Sequence, residues 1–178
     1  KIPDSLSEFI AIEVPIKNII VTSTTHIPAL EMLGTENTLI GFPETNYISS
    51  PKTRKRIDLR FVENVGQNES LNVEKIIDLQ PDVLIAFGIT PQNPSIDLLQ
   101  NNGQKVIYNG DWAEQSPLGK AEWIKLFGAL YDKNQESEKI FQNIETEYYK
   151  SVELIKNTKN KPTILCGAIF QNIWYMPQ

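Results

Sequence analysis

Four apolar runs, each the length of one strand, recur along the chain with helical patterns between them. This alternation narrows the fold more than any other feature. The runs span residues 18–22, 38–42, 82–87 and 105–108. Runs that are apolar throughout, rather than every second residue, belong to strands covered on both faces, as in a parallel sheet between helix layers. Parallel neighbours need crossover helices, and the intervening patterns supply them. Residues 27–33 read as a helix closed by Gly34, and 52–57 as a basic helix. Asn72 is an N-cap for 73–80, where Val73, Ile76, Ile77 and Leu79 recur at helical spacing before Pro81, and 95–101 is closed by Gly103.

Beyond the fourth run the pattern changes. Ser116 and Pro117 start a helix whose apolar stripe is Trp123, Ile124, Phe127, Leu130 and Tyr131. Residues 134–157 then run without Gly or Pro, with Ile140, Phe141, Ile144, Tyr148, Val152 and Ile155 as the stripe. A helix of that length is roughly 35 Å long, about the width of a small domain. After Pro162, residues 163–168 read as another buried strand. The expected organisation is an α/β parallel-sheet lobe over 1–132, a spine helix over 133–158, and the first strand of a second, truncated lobe over 159–178.

Composition excludes several functions. Of 178 residues, 40% are hydrophobic and 22% charged, the profile of a globular protein. Seventeen Lys and Arg against 22 Asp and Glu give a net charge of −5, which is no footprint for nucleic acid. One cysteine, Cys166, forbids an intramolecular disulfide, and one histidine, His26, forbids a Cys/His zinc site. No run approaches the ~18 apolar residues that span a bilayer. An export signal or lipid anchor, if encoded, lies upstream of Lys1.

In an open α/β sheet, ligands bind beyond the carboxyl ends of the strands. The first strand is followed by Ser23, Thr24, Thr25 and His26, and the second ends in Phe42 and leads to Asn46 and Tyr47. The third leads to Phe87, Gly88, Ile89 and Thr90, the fourth to Asp111, Trp112 and Glu114, and the last to Phe170, Trp174 and Tyr175. Flat apolar walls with a few polar groups suit a large, rigid organic ligand. Each ring alone also reads as a cap on the core. His26 reads either as a capping or solvent-facing residue just before a helix or as a nitrogen that coordinates the metal of a chelate. Lys52, Arg54, Lys55, Arg56 and Arg60 read as a solvated helix face or as a lure for an anionic ligand. Glu74, in the first turn of its helix, satisfies the helix dipole or accepts an arginine fork from a partner protein. Nucleotide-binding glycine motifs, the nucleophile elbow and H-E-x-x-H are missing, and Ser23 with His26 lacks an identifiable third group for a triad. No cofactor is implied.

One stretch carries a family likeness. Asn72, Val73, Glu74, Ile76, Leu79, Pro81, Asp82, Val83 and Leu84, preceded by Val65–Gly66, the Asn46–Tyr47 loop and Ile19 to His26, resemble the substrate-binding proteins of bacterial ABC importers for iron-siderophores, cobalamin and haem. With the long helix, the likeness spans nearly the whole chain. It implies two lobes joined by one rigid helix, a ligand between them, and a periplasmic or membrane-anchored lipoprotein that acts as a monomer. It further implies that Glu74 docks on an arginine of the permease, that Tyr47 lines the cleft and that Trp112 reaches it. The expectation is a non-catalytic receptor for a metal chelate, an iron-siderophore first among them, delivered to an ABC permease. Thr24, Thr25, His26, Tyr47, Phe87, Trp112, Trp174 and Tyr175 are its candidate ligand-binding residues. The competing expectation is a Rossmann-like enzyme whose catalytic residues lie C-terminal to this chain.

Overall fold

The computed structural model describes residues 9–88, 93–160, 162–170 and 172–176. Each of the four apolar runs forms a strand, β1 (Ile19–Val21), β2 (Leu39–Phe42), β6 (Val83–Phe87) and β7 (Val106–Asn109), the last extending one residue past its run. A two-residue strand, β3 (Glu63–Asn64), joins them at the edge, and the order in the five-stranded sheet is β3-β2-β1-β6-β7 with every neighbouring pair parallel. The chain therefore starts at the centre, moves outward to one edge, returns to the centre and moves outward to the other.

Side chains of the central strands alternate between two apolar layers. Ile19, Val21, Val83 and Ile85 join Leu30, Phe42, Phe127 and Phe141 on one face. On the other, Ile20, Leu84 and Ala86 pack with Val65, Ile76, Ile96 and Leu99. All seven of these strand residues are fully buried, which explains why the runs are apolar without alternation. The first layer is covered by α1 (His26–Met32), α2 (Pro51–Asp58) and α6 (Ile124–Leu130), the second by α3 (Val73–Leu79) and α4 (Pro94–Asn101).

The helix starts are set locally. Ser50 Oγ accepts from the Thr53 N–H at 3.3 Å, Asn72 Oδ1 from Lys75 at 3.0 Å and Asn93 Oδ1 from Ser95 at 3.1 Å. Pro51 and Pro94 occupy first-turn positions, where a missing N–H costs nothing. The Asp82 carboxylate accepts from the backbone N–H groups of Lys17 and Asn18 at 2.6 and 2.8 Å, clamping the entry of β1 to the entry of β6.

Three features differ from the sequence reading. The helix expected from Pro117 to Tyr131 is broken in two, α5 (Pro117–Glu122) and α6, with Trp123 at the junction and its indole Nε1 donating to Glu114 Oε1 at 3.1 Å. A hairpin of β4 (Gly66–Gln67) and β5 (Ser70–Leu71) stands beside the sheet, entered through Gly66 at φ +101, a backbone conformation that favours glycine. Residues 163–167 form no strand and are exposed. Pairing begins only at β8 (Ala168–Phe170), antiparallel to β9 (Ile173–Tyr175), because no parallel neighbour is at hand among the described residues.

The long helix is present as α7 (Asn134–Lys156). The chain divides into two compact units, Lys1–Glu145 and Thr146–Gln178. The first contains the sheet. Within it, α6 and α7 meet at Gly128, where an added Cβ would collide with the Ser137 side chain and lie 3.2 Å from the Lys133 carbonyl. Lys133 Nζ in turn donates to the Leu33 carbonyl at 2.8 Å, closing the end of α1. The second unit contains the end of α7, with Tyr148 and Tyr149 in edge contact at 5.6 Å, and the β8–β9 hairpin. Gly128→Ala is expected to lower stability by about 1–3 kcal/mol, the usual cost of overpacking. Urea unfolding measures this, and a second change, Ser137→Gly, should recover part of the loss.

Candidate functional site

The strand order reverses between β1 and β6, and at that switch the crossovers leave in opposite directions and open a crevice above the strand ends. An open depression of about 400 Å³ lies there. Its floor is Thr22, whose Oγ1 accepts from the Phe87 N–H at 2.8 Å while its own N–H donates to the Ile85 carbonyl at 3.1 Å, so the two strand ends are tied together. Ser23 and Thr24 follow on the lining, and the Ser23 hydroxyl is hydrogen-bonded to Thr25 Oγ1 at 2.8 Å.

The walls come from separate elements. Phe42 and Pro43 continue β2, and Glu44 turns the chain in the left-handed region at φ 49, its N–H donating to the Gly66 carbonyl at 2.9 Å. The following 3₁₀ turn presents Tyr47, 63% exposed, to the depression. Arg54 Nη1 holds that turn by donating to the Thr45 carbonyl at 2.6 Å. Asn68, at the tip of the β4–β5 hairpin, lines the opposite side, its carbonyl accepting from Asn93 Nδ2 at 2.9 Å. Phe87 ends β6, and Trp112 meets its ring edge-on at 6.0 Å and 74°.

The structure thus brings Thr24, Tyr47 and Phe87 to one rim, with Trp112 against Phe87 and 46% exposed. Ile89 and Thr90 lie outside the described residues. Thr25 is exposed but lines a smaller hollow of about 110 Å³ with Asn109, Asp111, Trp123 and Phe127. Trp174 and Tyr175 are exposed on β9 in the second unit. Glu74 is exposed in the first turn of α3. Asn68 escaped the sequence reading, although Gly66 and Asn68 between Val65 and Leu71 are turn signals that mark a hairpin.

His26 is not among the residues lining the depression. Rather than facing solvent before the helix, it is 1% exposed at the start of α1, packed with its ring centroid 5.8 Å from that of Phe127, and neither ring nitrogen has a hydrogen-bond partner among the described residues. Asn109 Nδ2 and Asp111 Oδ1 are buried and unpartnered in the same way. Burial lowers the His26 pKa from 6.5 to about 4, against the opposing pull of Asp111, so the ring is neutral at neutral pH. Among the described residues no group of three or more His, Cys, Asp or Glu side chains is placed to hold a metal ion. The basic helix is largely turned to structural tasks: Lys52 pairs with Glu36 at 2.5 Å, and Arg56 donates to the Asn37 and Leu39 carbonyls at 2.9 and 3.2 Å.

Comparison with known proteins agrees with this architecture. The sequence pattern of the periplasmic binding protein family matches residues 19–178, and the chain belongs to that family. An uncharacterized lipoprotein of Methanocaldococcus jannaschii is 28% identical over 96% of this chain and 42% of its own length. A second protein of that organism is 25% identical over 97% and 54%. The chain therefore spans about half the length of these relatives. Among solved structures, the periplasmic vitamin B12 binding protein BtuF of Vibrio cholerae superposes with a TM-score of 0.63 at 17% identity, covering 80% of this chain and 52% of that one. The petrobactin-binding protein YclQ from Bacillus subtilis gives 0.65 at 18% identity, covering 84% and 50%. The α/β parallel-sheet lobe expected from sequence is thus the observed fold. No helix among the described residues is long and apolar enough to cross a membrane.

The buried histidine makes stability pH-dependent. The unfolded chain takes up a proton on His26 near pH 6.5, which the native state refuses until about pH 4. Stability from this group is therefore complete above pH 6.5 and falls as the pH drops through that window, by roughly 3 kcal/mol in all. Urea midpoints measured against pH should show this decline in the wild type and a flatter curve between pH 6.5 and about 5 for His26→Leu. Parallel curves would refute the assignment.

Proposed function

We propose that this chain is the ligand-receiving part of a solute receptor that captures a metal chelate, an iron-siderophore first among them, and presents it to an ABC permease. The observation that carries the reading is the depression at the strand switch, where rings and uncharged hydrogen-bonding groups converge from five separate segments. Tyr47, Phe87 and Trp112 supply flat apolar walls for a bulky guest, and Thr24 and Asn68 supply hydrogen bonds that orient it. Thr25 stands at the flank, and His26 acts from below as a neutral packing residue. Arg54, fastened to the turn that bears Tyr47, sets a positive charge beside the mouth, which suits an anionic ferric chelate. Trp174 and Tyr175 are proposed to contact the same guest in the assembled receptor. Glu74 is proposed as the docking carboxylate for a permease arginine.

Within this chain a Ser23–His26 pair is not set up for catalysis: the Ser23 hydroxyl is bonded to Thr25 and the His26 ring is packed against Phe127. Neither is free to act as a nucleophile and base pair. The proposed setting is the periplasm or the outer face of a membrane to which the protein is tethered, in keeping with relatives described as lipoproteins.

Titration of the intact protein with ferric siderophores, cobalamin and haem, followed by tryptophan fluorescence and calorimetry, tests the reading. Quenching that falls in Trp112→Phe and is abolished only when Trp174→Phe is added, with affinity reduced about tenfold or more in Tyr47→Ala, is expected from the loss of one stacking wall. Neither heat nor quenching with any of the three ligand classes would end it. Glu74→Ala should leave ligand affinity unchanged while lowering transporter-dependent uptake in cells, and weakened ligand binding instead would show that Glu74 does not serve docking.

A further inference from the structure

The turn that closes α2 lies at the edge of the sheet opposite the depression. α2 follows the carboxyl end of β2, and the chain leaves it to enter β3, parallel to β2, at the amino end. Arg60 takes φ 60, its N–H donating to the Ile57 carbonyl at 2.9 Å, and the Phe61 N–H donates to the Arg56 carbonyl at 2.9 Å. This helix cap fixes Leu59 and Phe61 on either side of Arg60, 57% and 58% exposed. The Arg56 guanidinium, held by two backbone carbonyls, lies 5.5 Å from the Phe61 ring centroid and braces it.

Charge is concentrated at the same place. Residues 52–60 carry five of the seventeen Lys and Arg residues and a single acid, Asp58, in a chain of net charge −5. Lys52, Arg54 and Arg56 are engaged with neighbouring groups, whereas Lys55 and Arg60 are exposed and form no ion pair among the described residues. The turn therefore presents two apolar tips with a cation between them and a second cation one helical turn away.

We propose that this turn docks on an anionic lipid surface, with Leu59 and Phe61 entering the headgroup layer and Lys55 and Arg60 meeting lipid phosphates. A membrane fits better than a protein partner. A stable protein interface buries about 800 Å² per side, far more than two exposed side chains offer. A bilayer asks only for apolar tips that reach beneath a negatively charged surface. Docking by this edge would turn the depression and Glu74 away from the membrane, so it is a resting pose that the receptor leaves before Glu74 meets a permease. The proposal is independent of which ligand the depression holds.

Co-sedimentation of the intact protein with vesicles tests it. Vesicles of equal parts phosphatidylglycerol and phosphatidylcholine should retain the protein at low salt, and phosphatidylcholine alone should not. Raising salt from about 0.05 to about 0.3 M should release most of it. Lys55→Glu combined with Arg60→Glu should lower partitioning about tenfold or more, since each cation near an anionic surface contributes roughly fivefold. Leu59→Ser with Phe61→Ser should lower it several-fold, with circular dichroism and ligand titration unchanged, and Lys139→Glu on α7 serves as a control without effect. No retention, equal retention on both vesicle types, or retention on anionic vesicles that survives the double serine variant would overturn the proposal.

Discussion

The parallel pairing of β1 with β6 is the constraint on which the rest depends. Ile19, Ile20 and Val21 stand in register with Val83, Leu84 and Ile85, strands separated by more than sixty residues of chain. Two side chains lock that register from opposite ends, the Asp82 carboxylate on the N–H groups entering β1 and the Thr22 hydroxyl on the N–H of Phe87 at the exit of β6. A slip of one residue would break both locks and exchange the apolar faces of the central strands. Because the register is closed at each end, the two helix layers have fixed surfaces to cover.

The same pairing creates the depression. A chain that leaves β1 towards one edge and β6 towards the other cannot fill the space above their shared ends, and loops from β2, the hairpin and β6 close around it. Two rings there are held through the backbone: Tyr47 by the left-handed Glu44 and the Arg54 bond behind its turn, and Phe87 by the Thr22 hydroxyl in the floor. The walls are therefore positioned before any guest arrives, which limits the conformational entropy lost on binding.

The strands and most helices were legible because their signals are local. Full burial writes a continuous apolar run, and capping writes Ser or Asn before Pro or Glu. The β4–β5 hairpin and β3 were not legible, since strands of two residues carry no period; they form because Val65 and Leu71 anchor them in the second layer. The break at Trp123 was hidden for a related reason. Its indole looks like part of an apolar stripe until Glu114, nine residues earlier, claims its N–H. Tyr47, Phe87 and Trp112 could be picked out near the ends of strands, yet the rim that Tyr47 and Phe87 share, with Trp112 against Phe87, depends on the strand order, which no local pattern encodes.

His26 shows where such reading stops. Thr24 and His26 are adjacent in the same motif, but α1 begins between them, and two helical steps rotate a side chain by roughly 200°. Thr24 thus faces the depression while His26 turns under the helix onto Phe127. There it is buried within electrostatic reach of Asp111, whose carboxylate, with Asn109, lines the small hollow beside α1. The apolar layer beneath α1, with Leu30, Ile124 and Phe127 buried at roughly 1.5–3 kcal/mol per side chain, holds the neutral ring in place. A polar seam beside a site can thus persist without contributing ligands to it: its groups are held by the packing of α1 and α6, and the same packing denies His26 the charge that an exposed histidine acquires on mild acidification.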